Sequence, residues 1–154
     1  IPRRQSEQYK LKIANVMKYF RMSEFLDSQT AKRNKVVNMF LCAEHIDNIL
    51  AMVDDILDPL REMFGKPILI NSGYRVPELN LMVGGEANSM HKVGMAVDIT
   101  AINPIENMHL FNMLVSHFEF DQCIIYVRDN IVRFIHISYC PNGGNRHQVI
   151  RRYQ

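Results

Sequence analysis

Between residues 43 and 64 apolar side chains return every three or four positions: Ile46, Ile49, Leu50, Val53, Leu57, Leu60 and Phe64. That spacing marks one face of a helix. Glu44, Asp47, Asp54, Asp55 and Arg61 fall on or near the wet side. A helix with one apolar face has to bury it against a second layer. Pro59 interrupts the run. Asp58-Pro59 either caps and begins a second helical stretch or kinks the first. Gly65 ends it.

The second layer is legible further on. Residues 123–127 and 131–139 are β-branched and aromatic, and Asp129-Asn130 between them is a turn signal, so they are expected to pair as an antiparallel hairpin. Residues 67–71 and 96–100 read as short strands, and 104–117 as a second amphipathic helix with Ile105, Met108, Leu110, Phe111 and Leu114 inside. Ser72 to Pro77 reads as a loop, and Gly84-Gly85 breaks the short helix that Pro77 starts. The tail from Pro141 to Gln154 is polar and basic. Helices followed by strands predict an α+β fold with a small antiparallel sheet flanked by helices. Residues 1–22 are expected to form an N-terminal arm or helix, and 23–154 a single domain. Lys32, Arg33 and Lys35 make a basic patch that reads as a solvated face.

Composition enters as a set of exclusions. With 18 Lys and Arg against 16 Asp and Glu, the net charge of +2 gives no case for nucleic-acid binding driven by bulk charge. No apolar run reaches the roughly 18 residues that a membrane span needs. Three Cys (Cys42, Cys123, Cys140) are too few and too scattered for a disulfide framework. The chain starts at Ile1 without an initiator Met, and no apolar stretch of a signal peptide follows. It therefore reads as a trimmed chain, a processed product or a piece of something larger.

Six His are present, and His45, His109, His117 and His147 carry no pattern beyond that of surface or satisfied residues. His91 and Asp98 differ. A loop His and a strand Asp are separated by Gly94, and Ala96 leaves room beside them. Imidazole plus carboxylate suits zinc. His136, mid-strand in Phe134-Ile135-His136-Ile137-Ser138, shares a face with Val132, Phe134 and Ser138 by period-two alternation. A buried His needs a partner, since an unmet polar group costs about 1–3 kcal/mol. Three protein ligands with one open position is the catalytic zinc pattern. Spacing alone leaves two readings open, a zinc trio or unconnected His and Asp in a metal-free domain.

Longer motifs add a resemblance. The blocks Ser72-Gly73-Tyr74-Arg75-x-Pro77-Glu78-Leu79-Asn80, Val83-Gly84-Gly85 and Asn88-Ser89-x-His91-x-x-Gly94-x-Ala96-x-Asp98 resemble zinc D-alanyl-D-alanine carboxypeptidases. The likeness is to the short bacterial and phage branch, whose fold is shared with hedgehog signalling domains. Leu57 to Glu62, Gly65 to Ile68, Phe120-Asp121-Gln122, Phe134 to Tyr139 and Asn145-Arg146-x-Gln148-Val149 extend it over nearly the whole chain. The resemblance implies that His91, Asp98 and His136 bind Zn²⁺. It implies that Arg75 pairs with a substrate carboxylate, and that Ser89 and Tyr74 line the substrate site. The zinc would acidify its water and polarise the scissile carbonyl of a peptidoglycan stem peptide. Action at the cell wall or periplasm, after lysis or as part of a phage virion or larger assembly, goes with that reading.

One position departs from the family. Active members carry a general-base Glu, either three residues before the last His or shortly after the Asp-Gln pair. Here those places hold Arg133 and Cys123-Ile124-Ile125-Tyr126-Val127. Loss of a base lowers such rates about 10²–10⁴-fold. Asp129 falls at the hairpin turn, and Tyr126 offers only a phenol, a poor base. The general base is thus unassigned. The alternative is a catalytically impaired zinc-binding member that serves as a wall-binding or structural module.

Overall fold

The computed structural model describes residues 17–154. The part of the expected N-terminal arm before Met17 lies outside them. Met17 to Arg21 run without regular structure into α1 (Met22–Leu26) and α2 (Gln29–Arg33), and Phe20 and Phe25 are buried.

The long helical run forms as its period predicts. It comprises α3 (Ala43–Met52), a π-helical turn (Val53–Leu57) and α4 (Asp58–Phe64), without a break. The π turn is how the helix passes Pro59. Proline offers no N–H and crowds the preceding turn, and here the Asp58 N–H reaches back to the Val53 carbonyl. The wider turn keeps Val53, Ile56, Leu57 and Leu60 all inward. Gly65 closes α4 at φ 72°.

Five strands follow, with α5 (Pro77–Met82) among them: β1 (Ile68–Ser72), β2 (Ala96–Ala101), β3 (Gln122–Arg128), β4 (Ile131–Ser138) and β5 (Gln148–Tyr153). Their spatial order is β1-β2-β4-β3-β5. The first three pairings are antiparallel, and the β3–β4 hairpin turns at Asp129-Asn130, both at positive φ. The last pairing, β3 with β5, is parallel, so the sheet is mixed. The polar tail thus hides a strand. Nearly all its residues are exposed, so no hydrophobic alternation marks it.

Alternation gives the sheet two unlike faces. Val97, Ile99, Cys123, Ile125, Ile135 and Ile137 point into the core with α3, α4 and α6 (Asn107–His117). Burial pushes the Cys123 thiol up to about 12, so it stays protonated. Asp98, Gln122, Ile124, Tyr126, Phe134 and His136 point the other way, into a cleft. Val132 does not join them, although alternation from His136 places it there. A bulge pairs Val127 with Val132 instead of Arg133, which turns Val132 into the core. Two more expectations change at α6. A 3₁₀ turn at Pro104–Glu106 precedes it, and Ile105 and Met108 are 72% and 40% exposed. Buried Asn107 instead docks the helix. Its side chain accepts from the Ala101 N–H and donates to Thr100 Oγ1 and the Val132 carbonyl.

A candidate metal centre

The cleft on the open face holds about 600 Å³. Its floor is the sheet and one wall is the loop between α5 and β2. His91 rides on a 3₁₀ turn (Met90–Val93) in that loop. Ser89 caps the turn by accepting from the His91 N–H, and Gly94 ends it at φ 78°. A Cβ at Gly94 would run into the His45 carbonyl, so glycine is needed for space as well as for conformation. Asp98 and His136 sit opposite one another on β2 and β4.

These elements bring the three side chains together. One donor atom from each of His91, Asp98 and His136 lies within 4.8 Å of the others. Asp98 Oδ1 is 2.9 Å from His136 Nδ1 and 3.4 Å from His91 Nε2. The tautomer of His91 follows from its other nitrogen. Nδ1 is 2.7 Å from the Gly73 carbonyl, which can only accept, so Nδ1 carries a proton. In the neutral ring Nε2 is then a lone pair facing a carboxylate oxygen. Two facing acceptors call for a cation. Tetrahedral zinc with bonds of about 2.1 Å spaces its donors about 3.4 Å apart. The 3.4 Å between Asp98 Oδ1 and His91 Nε2 matches that spacing, and a carbonyl behind a ligating imidazole is the usual support. The cluster can therefore hold a metal ion.

Electrostatics agree. Burial opposes ionisation of Asp98, but the imidazoles of His136 and His91 beside it outweigh that effect and hold its carboxyl well below the usual range. Arg75 backs the same carboxylate, with a guanidinium nitrogen 3.5 Å from Oδ2. Its Nε donates to Ser72 Oγ and another nitrogen to Asn80 Oδ1. Burial lowers the Arg75 pKa, and Asp98 partly offsets this. Of five guanidinium hydrogens, three are engaged, which leaves two for the cleft.

The expected substrate residues divide. Arg75 and Ser89 line the cleft. Tyr74 does not. Its N–H bonds the Phe25 carbonyl, its ring is buried against Phe40, and its hydroxyl meets His45 Nδ1 at 2.8 Å. Gly73 packs so tightly on the Phe25 backbone that the chain turns Tyr74 inward. Its place is in the small core of α2 and α5.

Other residues at the site carried no role in the sequence reading. Buried Asn80 holds Arg75 and donates to the Glu86 carbonyl, and a Cβ at Gly85 would overlap its side chain. Arg146 grips Asp121 with two bonds of 2.9 Å and fixes the tail beside the cleft. Tyr126 lies where the missing Glu was sought, stacked on Phe134 at 4.4 Å. Arg133 is tied to the hairpin turn through Arg128 and Asp129, away from the cleft. Among the described residues three carboxylates line the cleft: Asp98, Asp121 and Glu86.

Comparison with known proteins adds one match. The family model described as Peptidase M15 fits residues 18–138, a span that contains all three clustered side chains. No curated protein matches the chain.

Proposed function

The chain belongs to the peptidase M15 family, that of the zinc D-alanyl-D-alanine carboxypeptidases, and from that membership and the cleft we propose that it hydrolyses a peptide bond of the peptidoglycan stem. The observation that carries the reading is the convergence of His91, Asp98 and His136 on one open cleft with the His91 tautomer already set. His91, Asp98 and His136 would hold Zn²⁺, which would supply Lewis acidity for a peptide carbonyl and for water.

The protein's own residues do the rest. Gly73 holds the His91 ring, and Arg75 steadies Asp98. The two free Arg75 hydrogens take the terminal carboxylate of the peptide. Ser89 keeps the His91 turn closed beside it. We assign proton transfer to Glu86 as the cleft carboxylate left without a partner among the described residues. Asp98 is committed to the cluster and Asp121 to Arg146, whereas no described residue bonds the Glu86 carboxylate. Catalytic contacts are often long before substrate binds.

The position of Tyr126 favours a second reading, a member that binds the stem peptide and zinc without turnover. It puts a phenol on an aromatic stack at one of the two places where the family resemblance implies a base. Release of D-alanine from purified peptidoglycan, with and without chelator, separates the two. The hydrolytic reading predicts release that chelator abolishes. No release at high protein concentration, with wall binding retained, contradicts it and supports the second.

A further inference from the structure

The cleft continues past the metal cluster onto β5. In the sheet register Ile124 stands opposite His136 on β4 and Ile150 on β5. Two residues along, Tyr126 stands opposite Phe134 and Arg152. Arg152, Tyr126 and Phe134 therefore form a row across three strands, beside the row that carries His136, and all three line the cleft.

Arg152 is unlike the other cleft arginines. Arg75 is paired with Asp98 and Arg146 with Asp121. Arg152 has no carboxylate partner among the described residues. Its guanidinium instead lies 6.0 Å from the centre of the Tyr126 ring, a distance at which an aromatic face steadies a cation. The phenol and the Phe134 ring below make an apolar platform under a free fork of N–H donors.

We propose that Arg152 and Tyr126 form a second anion subsite, which takes a side-chain carboxylate of the bound peptide at the β5 end of the cleft. The proposal rests on the peptide-cleft reading above and says which peptides the cleft prefers. Arg75 follows β1 at one side of the sheet, β2 and β4 carry the metal cluster, and Arg152 lies on β5 at the other edge. A peptide whose C-terminal carboxylate meets Arg75 thus runs back over the cluster toward β5. Two strand spacings and one residue pair separate Arg152 from His136, about 12 Å between backbones. An extended chain advances about 3.3 Å per residue, and both side chains reach inward. The favoured carboxylate is therefore two or three residues before the bond at the cluster.

The test is calorimetric titration of the zinc-loaded protein with two acetylated pentapeptides ending in D-alanyl-D-alanine. They differ only in glutamate or glutamine at the second position. The wild type is expected to bind the glutamate peptide about tenfold more tightly, as suits a charge-assisted pair, with the preference shrinking in added salt. Arg152→Gln is expected to remove the preference while zinc content stays the same, and Arg152→Lys to restore part of it. Equal affinities in the wild type, or a preference that survives Arg152→Gln, would overturn the subsite and leave the peptide-binding reading standing. Failure of the zinc-loaded wild type to bind either peptide would overturn both.

Discussion

At the scale of single residues, the site is set by what stands behind it. The Gly73 carbonyl decides which nitrogen of His91 faces the cleft, and Arg75 and His136 share the Asp98 carboxylate. The residues that touch a substrate are fewer than the motif suggests. Tyr74 and Arg75 are neighbours in sequence, yet one is buried and the other lines the cleft, because Gly73 lets the backbone close on Phe25. A motif read as a string shows which positions matter without showing which way each side chain turns. Glu86 carries the prediction at this scale. Glu86→Gln keeps the side-chain shape and leaves the zinc content unchanged. In D-alanine release assays it should slow hydrolysis about 10²–10⁴-fold, the loss typical of a general base. An unchanged rate would remove Glu86 from the proton-transfer role.

At the scale of elements, periodicity located nearly every helix and strand that carries the site. The helix through 43–64, the β3–β4 hairpin and β2 all lie where their patterns place them. The departures have local causes. The bulge beside Tyr126 breaks the alternation and sends Val132 inward. The 3₁₀ turn before α6 shifts its phase, leaving Ile105 and Met108 in solvent. What fixes α6 is polar, a buried Asn107 bonded to β2 and β4, which no hydrophobic pattern reveals. Asn107→Ala leaves the Ala101 N–H, the Thr100 hydroxyl and the Val132 carbonyl short of a partner. The expected loss of stability is about 1–3 kcal/mol, read from urea unfolding. A loss within experimental error would show that α6 is held by its apolar face alone.

At the scale of the whole molecule, the mixed sheet divides labour between its faces. One face packs on the helices, and the other carries the metal cluster and the cleft floor. The family was legible in sequence because its motifs concentrate on the loop and the two strands that build the cluster. β5 was not, because an edge strand held by main-chain bonds needs no apolar alternation. Its anchor is the clamp between Asp121 and Arg146. The hydrogen bonds from Arg146 hold the Asp121 carboxyl below its usual value against the opposing effect of burial. An unfolded Asp titrates near about 3.9. The folded value lies lower, so the contribution of the clamp is complete above that pH. It disappears as pH falls through the folded value. Arg146→Gln should therefore lower the thermal midpoint at pH 7, and the gap to wild type should narrow in acid. A gap that widens in acid would contradict the clamp.

No helix among the described residues is long and apolar enough to cross a membrane, and the open cleft is the feature on which the functional reading depends. Its central claim is a zinc site made by His91, Asp98 and His136. Calorimetric titration of the metal-free protein with Zn²⁺ tests that claim most directly. One equivalent should bind to the wild type, and none should bind tightly to His91→Ala, Asp98→Ala or His136→Ala proteins that remain folded. Absence of zinc binding by the wild type, or an undiminished equivalent in those variants, would contradict it.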